Sequence, residues 1–292
     1  SHLHIFTSSH LHIFTSPHQS ILTSMKIAIV GCGNMGMAFA NAFLKYDLVK
    51  TSDFLLIEKS VDRLEGLRES FKPGVLTGVI DGQLGDYDLV ILSIKPQDFA
   101  TVGAALKEVL KPDQVVLSIM AGIAIERIRA TLNHHRIVRA MPNTPAMLGM
   151  GITAYTSTSE VENTLLRKVE NLINATGRSV YLEDETMLDA VTALSGSGPA
   201  YFFYLVKSMI EAGKKMGFDD SVSALLVKQT MLGSYHLINN AEKSLDELIQ
   251  AVASKGGTTE AALKRFGEGD IDANLQEGIF AARNRSQELA RG

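Results

Sequence analysis

The chain has 292 residues, 46% of them hydrophobic and 21% charged, with a formal net charge of −4. That balance is globular rather than disordered and suits one large domain or two ordinary ones. It offers no concentrated basic face for nucleic acid, its one cysteine excludes an internal disulfide framework or thiolate metal cluster, and no run of about 18 apolar residues would span a bilayer. The sequence therefore reads as a soluble cytoplasmic protein from a reducing compartment.

Residues 1–8 read SHLHIFTS, and residues 9–16 repeat them letter for letter. This stretch also holds His2, His4, His10, His12 and His18. Metal binding is one reading of these histidines; a signal peptide fails, because it would need a basic start and a longer apolar core. Residues 1–24 are expected to be a leader or cloning-derived segment, with the native chain starting at Met25.

The β-branched run 26–30 predicts a buried strand. Gly31-Cys32-Gly33-Asn34-Met35-Gly36 follows it and opens a helical pattern through Lys45. Strand, G-x-G-x-x-G and helix in that order form a dinucleotide fingerprint: a tight turn, close backbone approach to a pyrophosphate, and close helix–strand packing. The helix N-terminus adds N–H donors and a positive dipole end. Cys32, in this loop, reads either as a thiol activated by that dipole or as a small space-filler.

A second strand, 54–57, ends at Glu58, where an acid would accept hydrogen bonds from a ribose 2′-hydroxyl. Lys59, Ser60 and Arg63 could instead surround a 2′-phosphate, so NADH and NADPH both remain open. Strands at 89–94, 115–119 and 136–139 alternate with helices at 97–110 and 124–132, which predicts a parallel sheet covered on both faces. Lys95-Pro96, Ala121-Gly122 and Met141-Pro142-Asn143-Thr144-Pro145 follow strands, at the ends that face a ligand crevice.

A strand at 151–156, a helix near 160–176 and a last strand at Val180-Tyr181 complete this half. From about residue 184 the pattern is helical, with helices at 200–216, 221–239, 245–253 and 271–290. The expected division is 25–183 for an α/β dinucleotide-binding domain with a doubly wound, mostly parallel sheet, and 184–292 for an all-α domain. Two stretches read as small-residue loops, 193–200 (ALSGSGPA) and 254–259 (SKGGTT), which serve either as ordinary helix caps with close helix packing or as N–H nests for an anion.

Catalytic side chains are sparse. There is no zinc spacing and no hydrolase elbow. His134 and His135 are expected at a surface helix end, and His236 within a long helix. Such poverty points to chemistry carried by a cofactor.

In order along the chain come the glycine fingerprint, SIKP, Arg139-Ala140-MPNTPA, ALSGSGPAYFF and SKGGTTEAAL. With these motifs the sequence resembles the Δ1-pyrroline-5-carboxylate reductases over essentially all of 25–292. The resemblance implies a Rossmann domain followed by a helical domain that dimerises, with larger assemblies of dimers open. It implies reduction of a cyclic imine, 1-pyrroline-5-carboxylate, to L-proline with NADPH or NADH. It places Gly31, Cys32, Gly33, Asn34, Met35 and Gly36 on the pyrophosphate, while Glu58, Lys59 and Ser60 fall near the ribose by their position after the second strand. Ser93, Ile94, Lys95, Pro96, Ile119, Met120, Ala121 and Asn143 would line the rest of the cofactor cleft. Ser254, Gly257, Thr258 and Thr259 would bind the substrate carboxylate, Thr192 would sit by the imine nitrogen, and Glu242 would help to position it. Two departures are Lys255, where the family commonly has proline, and Glu58. The alternatives are a β-hydroxyacid dehydrogenase, which would need a lysine such as Lys207 or Lys214 as acid–base, and a dinucleotide sensor without turnover.

Overall fold

The computed structural model describes residues 25–71 and 75–291; the expected leader, 1–24, lies outside them. β1 (Ile27–Val30) is apolar at every position and buried throughout. Alternate side chains serve opposite faces: Ile27 and Ile29 join one hydrophobic cluster, Ala28 and Val30 the other. A strand covered on both sides must read as a continuous apolar run. The same holds for β2 (Phe54–Ile57) and β4 (Leu89–Leu92), while β5 (Val115–Ser118) is apolar through Leu117 and ends on a buried Ser118.

The eight-stranded sheet has the order β3-β2-β1-β4-β5-β6-β7-β8. From β1 the chain moves outward to β2 and β3 (Val75–Thr77), then returns to place β4 on the other side of β1. That reversal opens a crevice at the carboxyl ends of β1 and β4. β5 and β6 (Ile137–Met141) continue the parallel sheet, β7 (Gly151–Ser157) runs antiparallel to β6, and β8 (Gly177–Tyr181) is parallel to β7. The helices of this half are α1 (Asn34–Lys45), α2 (Val61–Ser70), α3 (Phe99–Lys107), α4 (Ile125–Leu132), α5 (Asn163–Asn174) and the short α6 (Met187–Val191).

Two sequence expectations change. His134 is buried, because Asn133 caps α4 in the left-handed conformation (φ 49°) and turns the chain inward toward β6. Its Nε2 lies 2.9 Å from the Gln114 carbonyl, and burial holds its pKa below the usual histidine range; His135 stays exposed. The expected loop 193–200 is helical instead: Thr192–Gly196 is a π-turn that follows α6 and leads to α7 (Gly198–Lys215), with Pro199 in its first turn. β3 is an unforeseen edge strand.

The chain divides into two compact units, and the first runs on past the last strand to Gly196 and takes back Asn284–Gly292. The second, Ser197–Arg283, holds α7, α8 (Asp220–Asn240), α9 (Leu245–Val252), α10 (Thr258–Glu268) and most of α11 (Ile271–Arg291). Asp219 caps α8 by accepting the Val222 N–H, and Ser244 with Glu247 forms a capping box on α9. α7 meets α8 where Gly213 faces Ser223; a Cβ on Gly213 would lie 2.8 Å from Ser223 Oγ. Many large apolar side chains of these helices are exposed in the single chain, among them Phe202, Phe203, Leu225, Leu232 and Leu237.

β7 and β8 start at a crossing of two glycines. A Cβ on Gly177, whose φ is +145°, would sit 2.0 Å from the Gly151 oxygen. Gly177→Ala is expected to lower stability by about 2–3 kcal/mol, because backbone must shift and a strained φ must be kept. Gly66→Ala, in α2 with open space around it, is expected to raise stability by about 0.5–1 kcal/mol. Urea midpoints of the two variants would move in opposite directions.

Candidate active site

The glycine loop closes over the crevice between β1 and β4. Gly31 has φ +94°, and a Cβ there would lie 2.6 Å from the Ser93 carbonyl oxygen at the end of β4. A Cβ on Gly36 would come within 2.2 Å of the Gly31 oxygen and 3.1 Å of Ser93 Oγ. These two glycines let loop, helix and strand touch. Gly33 differs: its φ is −71°, and the nearest atom to a Cβ would be Arg63 Nη1 at 3.7 Å. Nothing within the protein requires a glycine at 33, so the space it leaves is a cradle that a side chain would fill. Gly33 caps α1 without a side-chain acceptor, and the first turn of that helix carries no acidic residue. Its N-terminus is therefore suited to a pyrophosphate, and the residues present fit a dinucleotide.

Glu58 is 6% exposed and tied into this loop. Its Oε2 accepts the Cys32 N–H at 3.1 Å, and its Oε1 accepts the Ser60 N–H at 3.0 Å. Arg63 Nη1 lies 3.9 Å from Oε2. Lys59 reaches away, pairing with Asp98 at 3.0 Å across the turn that follows β4. Both cations beside Glu58 thus already face a carboxylate. A cleft of about 470 Å³ opens here, lined by Gly33, Asn34, Asn41, Arg63, Leu67 and Met147 among others. Cys32 is buried, and its thiol is pushed up to about 12 by burial, with Glu58 adding to the effect. The activated-thiol reading therefore fails.

The other residues expected at the cofactor, Ser93 to Pro96, Ile119 to Ala121 and Asn143, are not among those lining this cleft; they lie at the carboxyl-end edge of the sheet. Ser93 follows β4, and Lys95 with Pro96 opens the next turn, where Lys95 is exposed. Ile119 and Met120 are buried just after β5, and Ala121 stands half-buried beside them. Asn143 follows β6 and is held by its Oδ1, which accepts the Ile152 N–H at 3.0 Å. The π-turn comes to this edge too, since a Cβ on Gly196 would lie 2.5 Å from Met141 Cε at the end of β6. Thr192 opens that turn and donates its hydroxyl hydrogen to the Leu188 carbonyl at 2.8 Å.

Near this edge lies an ion cluster around a buried arginine that sequence reading missed. Arg139, 5% exposed on β6, pairs with Glu185 at 2.6 Å and stands 4.0 Å from Asp189. Arg139 lies 46 residues before Glu185 in sequence, so no local spacing announces the pairing.

In the helical unit, Ser254–Thr259 forms the turn before α10. Gly256 has φ +72° and donates its N–H to Glu260 Oε2 at 2.7 Å. Gly257 caps α10 without a side-chain acceptor and donates its own N–H to the Ser254 carbonyl at 2.9 Å. Thr258 and Thr259 form the first turn, and Lys255 points to solvent beside it. Glu242 lies exposed in the connection between α8 and α9. His236 is exposed on α8 and stacks edge-on against Tyr235. Lys214 is held by Glu211 at 3.3 Å and Asp220 at 3.1 Å, which push its pKa up. Among the described residues no group of three or more His, Cys, Asp or Glu could hold a metal ion, and no helix is long and apolar enough to cross a membrane.

Comparison with known proteins gives this arrangement its relatives. A family profile described as pyrroline-5-carboxylate reductase dimerisation matches residues 185–289, and one described as NADP oxidoreductase coenzyme F420-dependent matches 26–122. A pyrroline-5-carboxylate reductase of Pseudomonas aeruginosa is 36% identical over 266 residues, covering 91% of this chain and 97% of that protein. Its counterpart in Haemophilus influenzae is 34% identical, covering 90% and 97%. Among solved structures, a pyrroline-5-carboxylate reductase from Coxiella burnetii superposes with a TM-score of 0.81 at 30% identity, covering 91% of this chain and 99% of that one. The NADP-bound enzyme of Plasmodium falciparum superposes with a TM-score of 0.82 at 25% identity, covering 91% and 98%. With relatives 36% and 34% identical over at least nine-tenths of its length and a matching dimerisation profile, the chain belongs to the pyrroline-5-carboxylate reductase family.

Proposed function

We propose that this chain reduces the C=N bond of 1-pyrroline-5-carboxylate to L-proline with NADPH or NADH, and that it works in the cytoplasm as a homodimer. The observation that carries the reading is the meeting of Gly196 with Met141, which brings the Thr192 turn to the sheet edge that carries the glycine loop. Gly31 to Gly36 would hold the pyrophosphate. Glu58, Lys59 and Ser60 would flank the adenine ribose, while Ser93 to Pro96, Ile119 to Ala121 and Asn143 would line the nicotinamide side. When bound, the dinucleotide supplies the hydride that the imine carbon receives.

The chain's own groups then have modest work. Ser254, Gly257, Thr258 and Thr259 would hold the substrate carboxylate at the N-terminus of α10, where the Glu260 carboxylate takes the Gly256 N–H and the Gly257 cap adds no side-chain acceptor of its own. Thr192, with its hydrogen committed to Leu188, presents oxygen lone pairs and so accepts the N–H of a protonated imine. That favours the electrophilic form and removes the need for a strong general acid. Glu242 is the candidate for helping to orient the ring nitrogen. The exposed apolar faces of α7 and α8 support burial against a second copy. A lysine acid–base of the β-hydroxyacid dehydrogenase kind finds little support, since two carboxylates hold Lys214 protonated.

Nicotinamide absorbance in the presence of pyrroline-5-carboxylate, with proline identified as product, tests the reading directly. Tight nucleotide binding without oxidation would leave only a sensor. Thr192→Val should cut kcat between tenfold and a hundredfold, for about 1.5–3 kcal/mol of hydrogen bonding to a charged group, with the urea midpoint little changed. Unaltered kcat would remove Thr192 from the chemistry. Glu58→Gln, which keeps one oxygen for the loop, should raise the ratio of NADPH to NADH affinity by about tenfold, and Arg63→Ala should lower it; equal ratios in all three proteins would place the ribose elsewhere. A thiol reagent at pH 8 should modify Cys32 about a thousandfold more slowly in the folded protein than in urea, because so little thiolate is present at a pKa of about 12.

A further inference from the structure

The loop between β5 and α4, residues 119–124, is tied at its start, where the Ile119 N–H donates to the Leu92 carbonyl at 3.0 Å and the Met120 N–H to Ser118 Oγ at 3.4 Å, but its middle and far end are held from elsewhere. The cap position of α4 is Ala124, which has no side chain able to accept the first N–H groups. The Ile125 N–H instead donates to Glu185 Oε1 at 2.8 Å, sixty residues away in sequence. A carboxylate at that point satisfies an orphan donor and complements the helix dipole. Glu185 is fixed in turn by Arg139 at 2.6 Å. Arg139 faces Asp189, whose Oδ1 accepts the hydroxyl hydrogen of Ser286 at 2.7 Å. Ser286, on α11, is 4% exposed.

A second hold acts on the same loop from the same helix. Gly122 has φ +70°, and a Cβ there would lie 3.2 Å from Leu289 Cβ and 3.6 Å from the Ser286 carbonyl oxygen. The last turns of α11 therefore press on the middle of the loop, while the Ser286–Asp189–Arg139–Glu185 chain grips its far end.

We propose that Glu185, Asp189 and Ser286 are positioning residues for dinucleotide binding: they form a latch by which the end of α11 sets the β5–α4 loop against the cofactor. This rests on the reading that Ile119, Met120 and Ala121 line the cofactor cleft. None of the three latch residues need touch the cofactor; they act by fixing the backbone that does.

The test measures dissociation constants for NADH and NADPH by nicotinamide fluorescence, well below the unfolding midpoint, on the full chain. Ser286→Ala and Glu185→Ala should each weaken binding, roughly three- to tenfold, and Glu185→Gln, which keeps an oxygen for the Ile125 N–H, should recover part of that loss. Urea midpoints are read alongside. A lower midpoint with unchanged dissociation constants would make the latch purely structural and overturn the proposal. Should Glu185→Ala fail to fold, Ser286→Ala alone decides, since it removes one hydrogen bond at the remote end of the chain of contacts. If the unsubstituted protein binds neither nucleotide, the cofactor reading fails, and that result is distinct from equal binding by all variants.

Discussion

The backbone of this protein meets itself at the carboxyl ends of β1 and β4 with no room for side chains. The Ser93 carbonyl occupies the space that a Cβ at position 31 would need, and the Gly31 carbonyl occupies that of position 36. Everything at the cofactor edge follows from that closeness. It seats the N-terminus of α1 directly above the crevice created by the β1–β4 reversal. It also brings the Cys32 N–H to the end of β2, where a buried carboxylate can receive it. A methyl group at either position would move the helix, the loop and Glu58 together.

Glu58 has a structural part that its spacing from the glycines does not reveal. Its distance from the glycines marks it as a ribose acid, but the fold also makes it a brace for the phosphate loop, with both oxygens already accepting backbone N–H groups. Arg63 and Lys59 are likewise not free cations near a pocket; each is engaged with an acid. Selection between the two nucleotides thus becomes a question of rearranging existing pairs rather than of adding a charge.

What was legible in the sequence was whatever repeats locally. Buried strands announced themselves as unbroken apolar runs, α7 and α8 by composition and spacing, and the glycine loop by its place between strand and helix. Features decided by contacts far along the chain were not legible. Val75 to Thr77 form a strand because the β2 edge accepts them, and not through any pattern of three residues. The small residues from Ala193 to Gly196 look like a loop, yet Gly196 fits closely against Met141 and the turn stays helical. His134 is buried because Asn133 ends α4 in a left-handed turn. Glu185 offered no signal at all, since the helix it caps lies sixty residues earlier in sequence.

One feature of the chain path bears on its synthesis. The sheet unit is not a continuous stretch of sequence: it ends at Gly196 and is completed by Asn284–Gly292. A chain emerging from the ribosome can pair all eight strands long before Ser286 and Leu289 appear. Until then Asp189 lacks its hydroxyl partner and Gly122 its neighbour. These last contacts of the nucleotide-binding half can therefore form only after the entire helical half has been translated. Completion of the nucleotide-binding half is a late event in the life of the nascent chain, although its strands come first.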